Sequence, residues 1–129
     1  SPHHYFQEFV AGPPMSAVFA DDALFGVTEQ LTGEPWLHAA GFAYCGNVGP
    51  VEPPAGVAEM GRVLAAAFGL CGVWGLDFVL RDGVPHPVEV NPRYTAAVEV
   101  LEHGLGRGVF QNPSPNPLPW EGRGPSSPP

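Results

Sequence analysis

At 129 residues the chain has room for one modest domain, or for part of a larger one, because a chain of this size buries only about two thirds of its unfolded surface. Its formal charge is −8 and its five basic residues are all arginine (Arg62, Arg81, Arg93, Arg107, Arg123), which argues against a nucleic-acid partner; without a lysine a Walker A loop is excluded. No apolar run approaches the ~20 residues of a membrane helix, and Cys45 and Cys71 lack zinc-ligand spacing, so they are expected to be two reduced, buried thiols of a cytoplasmic protein.

The start, Ser1-Pro2-His3-His4, has neither a signal-peptide shape nor an initiator Met and suggests a beginning in mid-protein. The β-formers from Tyr5 to Val10 predict a strand, broken by Ala11-Gly12-Pro13-Pro14. Further strands are expected over Met15 to Ala20 and Leu24 to Leu31, joined at Asp21-Asp22, and over Trp36 to Tyr44 after the break Thr32-Gly33-Glu34-Pro35. Cys45 to Pro54 looks like a Gly/Pro-rich loop. Val57, Met60, Val63, Leu64, Ala67 and Phe68 recur at helical spacing, predicting a helix from about Ala55 to Phe68 with Gly69 as its stop.

Val73 to Arg81 alternates, with Trp74, Leu76, Phe78 and Leu80 on one face and Val73, Gly75, Asp77 and Val79 on the other. A turn at Asp82-Gly83 leads to a return strand, His86 to Asn91, and Thr95 caps a last helix ending near Gly104. Past Gly108 the pattern fades; Gln111 to Pro129 holds seven of the 17 prolines, so residues 109–129 are expected to be a disordered tail.

The chemistry concentrates on the hairpin from Val73 to Asn91. Glu89 and Asn91, two residues apart, share a face and can present oxygens together, as a hard divalent cation requires. A strict two-residue turn would pair Asp77 with Val88 and send Glu89 to the face of Trp74, Leu76 and Phe78, burying a carboxylate in the core. A three-residue loop, Asp82-Gly83-Val84, pairs Asp77 with Glu89 and is therefore expected. Two facing carboxylates repel and so call for a cation. Arg93, after a Pro-stiffened bend and before a helix N-terminus, makes an anion site beside them; the alternative is a surface arginine paired with Glu89 or Glu99.

Taken in order, Gln7-Glu8-Phe9-Val10 with Gly12 and Ser16 behind it, Phe68-Gly69-Leu70, Gly75-Leu76-Asp77-Phe78 and Glu89-Val90-Asn91-Pro92-Arg93 resemble the ATP-grasp superfamily over roughly Tyr5 to Gly104. The resemblance implies an α+β fold: the C-terminal subdomain of that architecture, a mainly antiparallel sheet with two helices on one face, spanning residues 1–108. It further implies that Gln7, Glu8, Phe9 and Val10 form the hinge that holds adenine. Asp77, Glu89 and Asn91 would bind Mg²⁺ (or Mn²⁺) bridging the ATP phosphates, and Arg93 would steady the transferred phosphoryl group.

The activity implied is an ADP-forming ligase that activates a carboxylate as an acyl phosphate for an amine acceptor. The Tyr94-Thr95 continuation looks most like members grouped near tyramine-glutamate ligases. Two features depart from the family. Pro13-Pro14 stands where many relatives carry a ribose-binding acid, leaving Ser16 nearby, and the lysines and glycine-rich loop of an N-terminal half are missing from this chain. The alternatives are a nucleotide- or metal-binding module without turnover and an inert truncated fragment.

Overall fold

The structure, a computed structural model, describes residues 3–111. Five strands, β1 (Pro14–Ala20), β2 (Ala23–Thr32), β3 (Tyr44–Val51), β4 (Val73–Arg81) and β5 (Val84–Asn91), form one antiparallel sheet in the order β3-β2-β1-β4-β5. Helix α1 (Val57–Phe68) links β3 to β4, and α2 (Ala96–Leu105) follows β5. No described helix is long and apolar enough to cross a membrane.

Alternation along β1 sorts the core into two halves. Met15, Ala17 and Phe19 join Val27, Trp74, Leu76 and Phe78 under Val57 and Ala65 of α1. Val18 turns the other way and packs with Phe25 against Ala97, Val98, Leu101 and Leu105 of α2. The α+β class and antiparallel sheet are as expected, but the helices, expected on one face, are divided between the two. The cause is the second apolar patch of Val18 and Phe25, which needs a cover of its own. That cover is partial: further along the same face the sheet carries Ser16, Gln30 and Asp77.

Several expected elements are corrected. Residues 5–10 form no strand: their apolar positions come in pairs rather than alternating, and Tyr5, Phe6 and Phe9 are exposed without a ladder partner. Glu8 is likewise exposed. In place of a strand over Trp36 to Tyr44 there is a 3-10 turn, Pro35–Leu37, and a loop, since Pro35 opens the turn and His38 closes it in the left-handed conformation. The strand begins at Tyr44 and runs through the segment expected to be a loop; at the sheet edge its glycines and Pro50 are tolerated where ladder bonds are irregular.

The buried stripe of α1 is Val57, Gly61 and Ala65, whereas Val63 and Phe68 are exposed. A Cβ at Gly61 would collide with the Phe19 ring, so the small side of the helix is what lets it approach the sheet. Cys71 is exposed and Cys45 half-buried, so the two thiols are not both core residues as expected. Val109 is buried with α2, and its backbone N–H donates to Glu102 Oε1 at 2.9 Å, so packed structure continues past the expected boundary at Gly108. The tail expected beyond Gln111 lies outside the described residues.

The β4–β5 register corrects one expectation in detail. Arg81 pairs with Val84, so the turn has two residues, Asp82 and Gly83, both with positive φ as a type I′ turn requires. Yet Asp77 pairs with Glu89, because Val88 is an extra residue between the Phe78–Pro87 and Asp77–Glu89 pairs. The bulge, not a longer loop, returns Glu89 to the Asp77 face. Pro87 beside it cannot donate a ladder bond, which makes the irregularity cheap on an edge strand. Deleting Val88 should therefore regularise the ladder and keep the 77–89 pairing, with stability within about 1 kcal/mol of the parent. Inter-strand NOEs between residues 77 and 89 check this; their loss would show that the bulge does more than offset the turn.

Candidate active site

The face that α2 leaves uncovered forms a cavity of about 300 Å³. All five strands reach it: Tyr44 and Asn47 from β3, Gln30 from β2, Ser16 from β1, Asp77 from β4, and Glu89 and Asn91 from β5. Arg93 and the first residues of α2 close one side.

Asp77 is the centre of the polar network. Its Oδ1 accepts from Ser16 Oγ at 2.8 Å and from Gln30 Nε2 at 3.0 Å, and Gln30 Nε2 also lies 2.6 Å from Ser16 Oγ. Its Oδ2 accepts from Asn91 Nδ2 at 3.2 Å. Three neutral donors thus converge on the one carboxylate. Asn91 is buried, and its Oδ1 takes a long contact, 3.4 Å, from Arg93 Nη2, while Arg93 Nη1 donates to the Tyr94 carbonyl at 3.3 Å. Arg93 makes no ion pair with Glu89 or Glu99 among the described residues, so the surface-pair alternative does not hold.

On the far side, buried Thr28 donates to Asn47 Oδ1 at 3.0 Å, and Asn47 Nδ2 donates to the Tyr44 hydroxyl at 2.5 Å. Burial, and after it the Asp77 charge, holds the Tyr44 hydroxyl above the usual tyrosine value of 10.0, against the pull of the Asn47 bond. Tyr44 therefore faces the pocket as a neutral phenol at physiological pH. Thr95 occupies the cap position of α2 but makes no side-chain cap bond, and the helix opens on the cavity through Ala96 and Ala97.

Asp77, Glu89, Asn91 and Arg93 are brought together as the sequence indicated. Ser16 sits with Asp77, away from the cavity lined by Gln7, Glu8, Phe9 and Val10. That second cavity, about 290 Å³, is closed by Val79, His86, Pro87 and Val88. Gln30, Tyr44 and Asn47 were not anticipated. For the last two the strand itself was missed; the polar residues Tyr44 and Asn47 within it were the available signal.

The donor set suits a hard cation. Two carboxylates and one amide oxygen are too few for an all-protein cage, and no group of three His, Cys, Asp or Glu side chains gathers among the described residues. Mg²⁺ normally completes such partial sets with phosphate oxygens and water. Asn91 turns its nitrogen to Asp77, so it supplies Oδ1 to the same spot only after a half-turn of the amide. The residues present fit the ion on those terms.

The family model of the ATP-grasp domain matches residues 2–97. The chain belongs to the ATP-grasp family. An uncharacterised protein of Methanocaldococcus jannaschii is 28% identical over 104 residues, covering 80% of this chain and 25% of that protein. A crystal structure of an ATP-grasp superfamily protein from Archaeoglobus fulgidus aligns with TM-score 0.63 and 29% identity over 80% of this chain and 34% of the other. The D-alanine–D-alanine ligase of Bacillus anthracis, crystallised with ATP, shares the fold at TM-score 0.50 and 20% identity, over 65% of this chain and 28% of that one. The ATP-grasp chain thus spans between a quarter and about a third of the length of these relatives.

Proposed function

We propose that the chain is the C-terminal half of the ATP-binding domain of a cytoplasmic, ADP-forming carboxylate–amine ligase. The observation that carries this reading is the convergence of Asp77, Glu89 and Asn91 beside Arg93 in one cavity. The second cavity supports it: Val79 lies two residues along the strand from Asp77, about 7 Å away on the same face, so a nucleotide held at Gln7 to Val10 would run its phosphates toward Asp77.

In this reading the backbone of Gln7 to Val10 and Glu8 hold adenine. Asp77, Glu89 and Asn91 hold Mg²⁺ (or Mn²⁺), which when bound neutralises the phosphate oxygens. Arg93 leaves its weak contact with Asn91 to meet the phosphoryl group as it passes to the substrate carboxylate, and the α2 N-terminus offers free backbone N–H groups to the same charge. The carboxylate oxygen forms the new P–O bond as ADP leaves; the amine then forms the amide bond and phosphate departs with that oxygen. The Tyr44 hydroxyl, neutral at working pH, lines the substrate side. Amino-acid substrates of the tyramine–glutamate type are the finer expectation.

No lysine is present, so the facing wall and its phosphate contacts would come from the rest of a longer protein. Nucleotide binding without turnover is accordingly the reading for this chain taken by itself. The test is ATP titration with Mg²⁺ and with EDTA, followed by ADP release in the full-length protein against a panel of amino-acid carboxylates and amines, with ¹⁸O in the carboxylate. Mg²⁺-dependent binding and label in the released phosphate are expected. Equal binding with EDTA sinks the metal assignment, and unlabelled phosphate sinks the acyl phosphate.

A further inference from the structure

We infer that Gln30, together with Ser16, is a positioning residue that determines which oxygen of Asp77 meets a cation and thereby which cation the site prefers. The inference rests on the metal site proposed above. Gln30 lies half-buried on β2, two strands away from Asp77 in the sheet, and reaches across Ser16 to it. Its Nε2 is 3.0 Å from Asp77 Oδ1 and 2.6 Å from Ser16 Oγ, while Ser16 Oγ donates to the same Oδ1 at 2.8 Å.

A carboxylate oxygen has two lone pairs, and Oδ1 has both engaged by donors from the protein. Oδ2 differs. Its partner is the Asn91 amide at 3.2 Å, the longest bond of the group, and that amide belongs to a residue offered to the same cation. Asp77 can therefore present Oδ2 and keep Oδ1 for Gln30 and Ser16. Coordination through one oxygen suits Mg²⁺ and Mn²⁺, which require near-octahedral geometry with single oxygens; Ca²⁺ prefers six to eight ligands and readily takes both oxygens of a carboxylate. The site should hence discriminate against Ca²⁺, and the discrimination should reside in side chains that never touch the ion.

Mn²⁺ serves as the probe, with free ion counted by EPR in the presence of ATP and with Ca²⁺ as competitor. The full protein should prefer Mn²⁺. In Gln30→Met, which keeps the length and removes the donors, the Mn²⁺-to-Ca²⁺ affinity ratio should fall about tenfold or more, the size of effect typical when a ligand loses its hydrogen-bonded support. Ser16→Ala should move the ratio in the same direction. Thr28→Val perturbs the neighbouring buried hydroxyl without touching Asp77 and should leave the ratio unchanged, which separates positioning from general loosening. An unchanged ratio in both Gln30→Met and Ser16→Ala overturns the inference while leaving the metal site standing. Failure of the unaltered protein to bind Mn²⁺ at all overturns the metal reading itself, and this inference with it.

Discussion

Replacing Glu89 by Gln should raise the melting temperature of the protein in EDTA and abolish the further rise produced by Mg²⁺ with ATP. Glu89 stands directly opposite Asp77 in the β4–β5 ladder. Like charges in that position destabilise by about 0.2–1 kcal/mol, toward the lower end here because Glu89 is exposed. In a domain of this size that corresponds to a shift of about 1–6 °C. The same charge is what a cation requires, so removing it exchanges binding for stability. Asp77→Ala should lose the Mg²⁺ response equally but move the EDTA value the other way. Ser16, Gln30 and Asn91 all donate to Asp77, and their loss of an acceptor costs about 1–3 kcal/mol. Thermal melts of the two variants, with EDTA and with Mg²⁺ plus ATP, check both signs. A Glu89→Gln protein less stable than the parent in EDTA would show that the two carboxylates do not repel.

The two hairpins explain how much of this arrangement was legible in the chain. The alternation of β4 was plain because Trp74, Leu76 and Phe78 are large and their intervening neighbours are not. The energetic rule that Glu89 cannot enter that face predicted the right partner for Asp77 and the wrong device. Both hairpins use a two-residue turn followed by one extra residue: Val88 in β5, and Phe25 in β2 between the Phe19–Leu24 and Val18–Gly26 pairs. A bulge reverses the face of everything beyond it, and no residue type marks it. Counting from the Asp21-Asp22 turn places Gln30 on the α1 side, whereas it lies beside Ser16 and Asp77. Tyr44 and Asn47 were hidden differently. Their strand carries Gly46, Gly49 and Pro50, residues that weaken a strand in the middle of a sheet but are compatible with an edge. The segment from Tyr5 to Val10 erred the opposite way, since strand-forming residues make no strand without a neighbour to pair with.

Trp74→Ala should cost about 3–5 kcal/mol of stability yet leave the affinity of the folded protein for Mg²⁺ and ATP within about twofold. Trp74 is buried, stacks on Phe19 with centroids 4.4 Å apart and planes 13° from parallel, and donates from Nε1 to the Asp21 carbonyl at 2.7 Å. Asp21 in turn donates its backbone N–H to the Gly72 carbonyl and accepts the Gly72 N–H on its carboxylate, so the indole helps anchor the β1–β2 turn to the entry of β4. Truncation opens a cavity beneath α1 and leaves that carbonyl short of a donor. Trp74→Phe keeps the stack and loses only the N–H, so about 1 kcal/mol is expected. Asp77 is three residues further along the same strand and therefore on the opposite face, where Ser16, Gln30 and Asn91 hold it independently of α1. Denaturant melts give the stability, and titration below the melting range gives the affinity. A parallel loss of both in Trp74→Ala would mean that the sheet transmits packing defects from its α1 face to the site, and that the division of the helices between two faces does not insulate the chemistry.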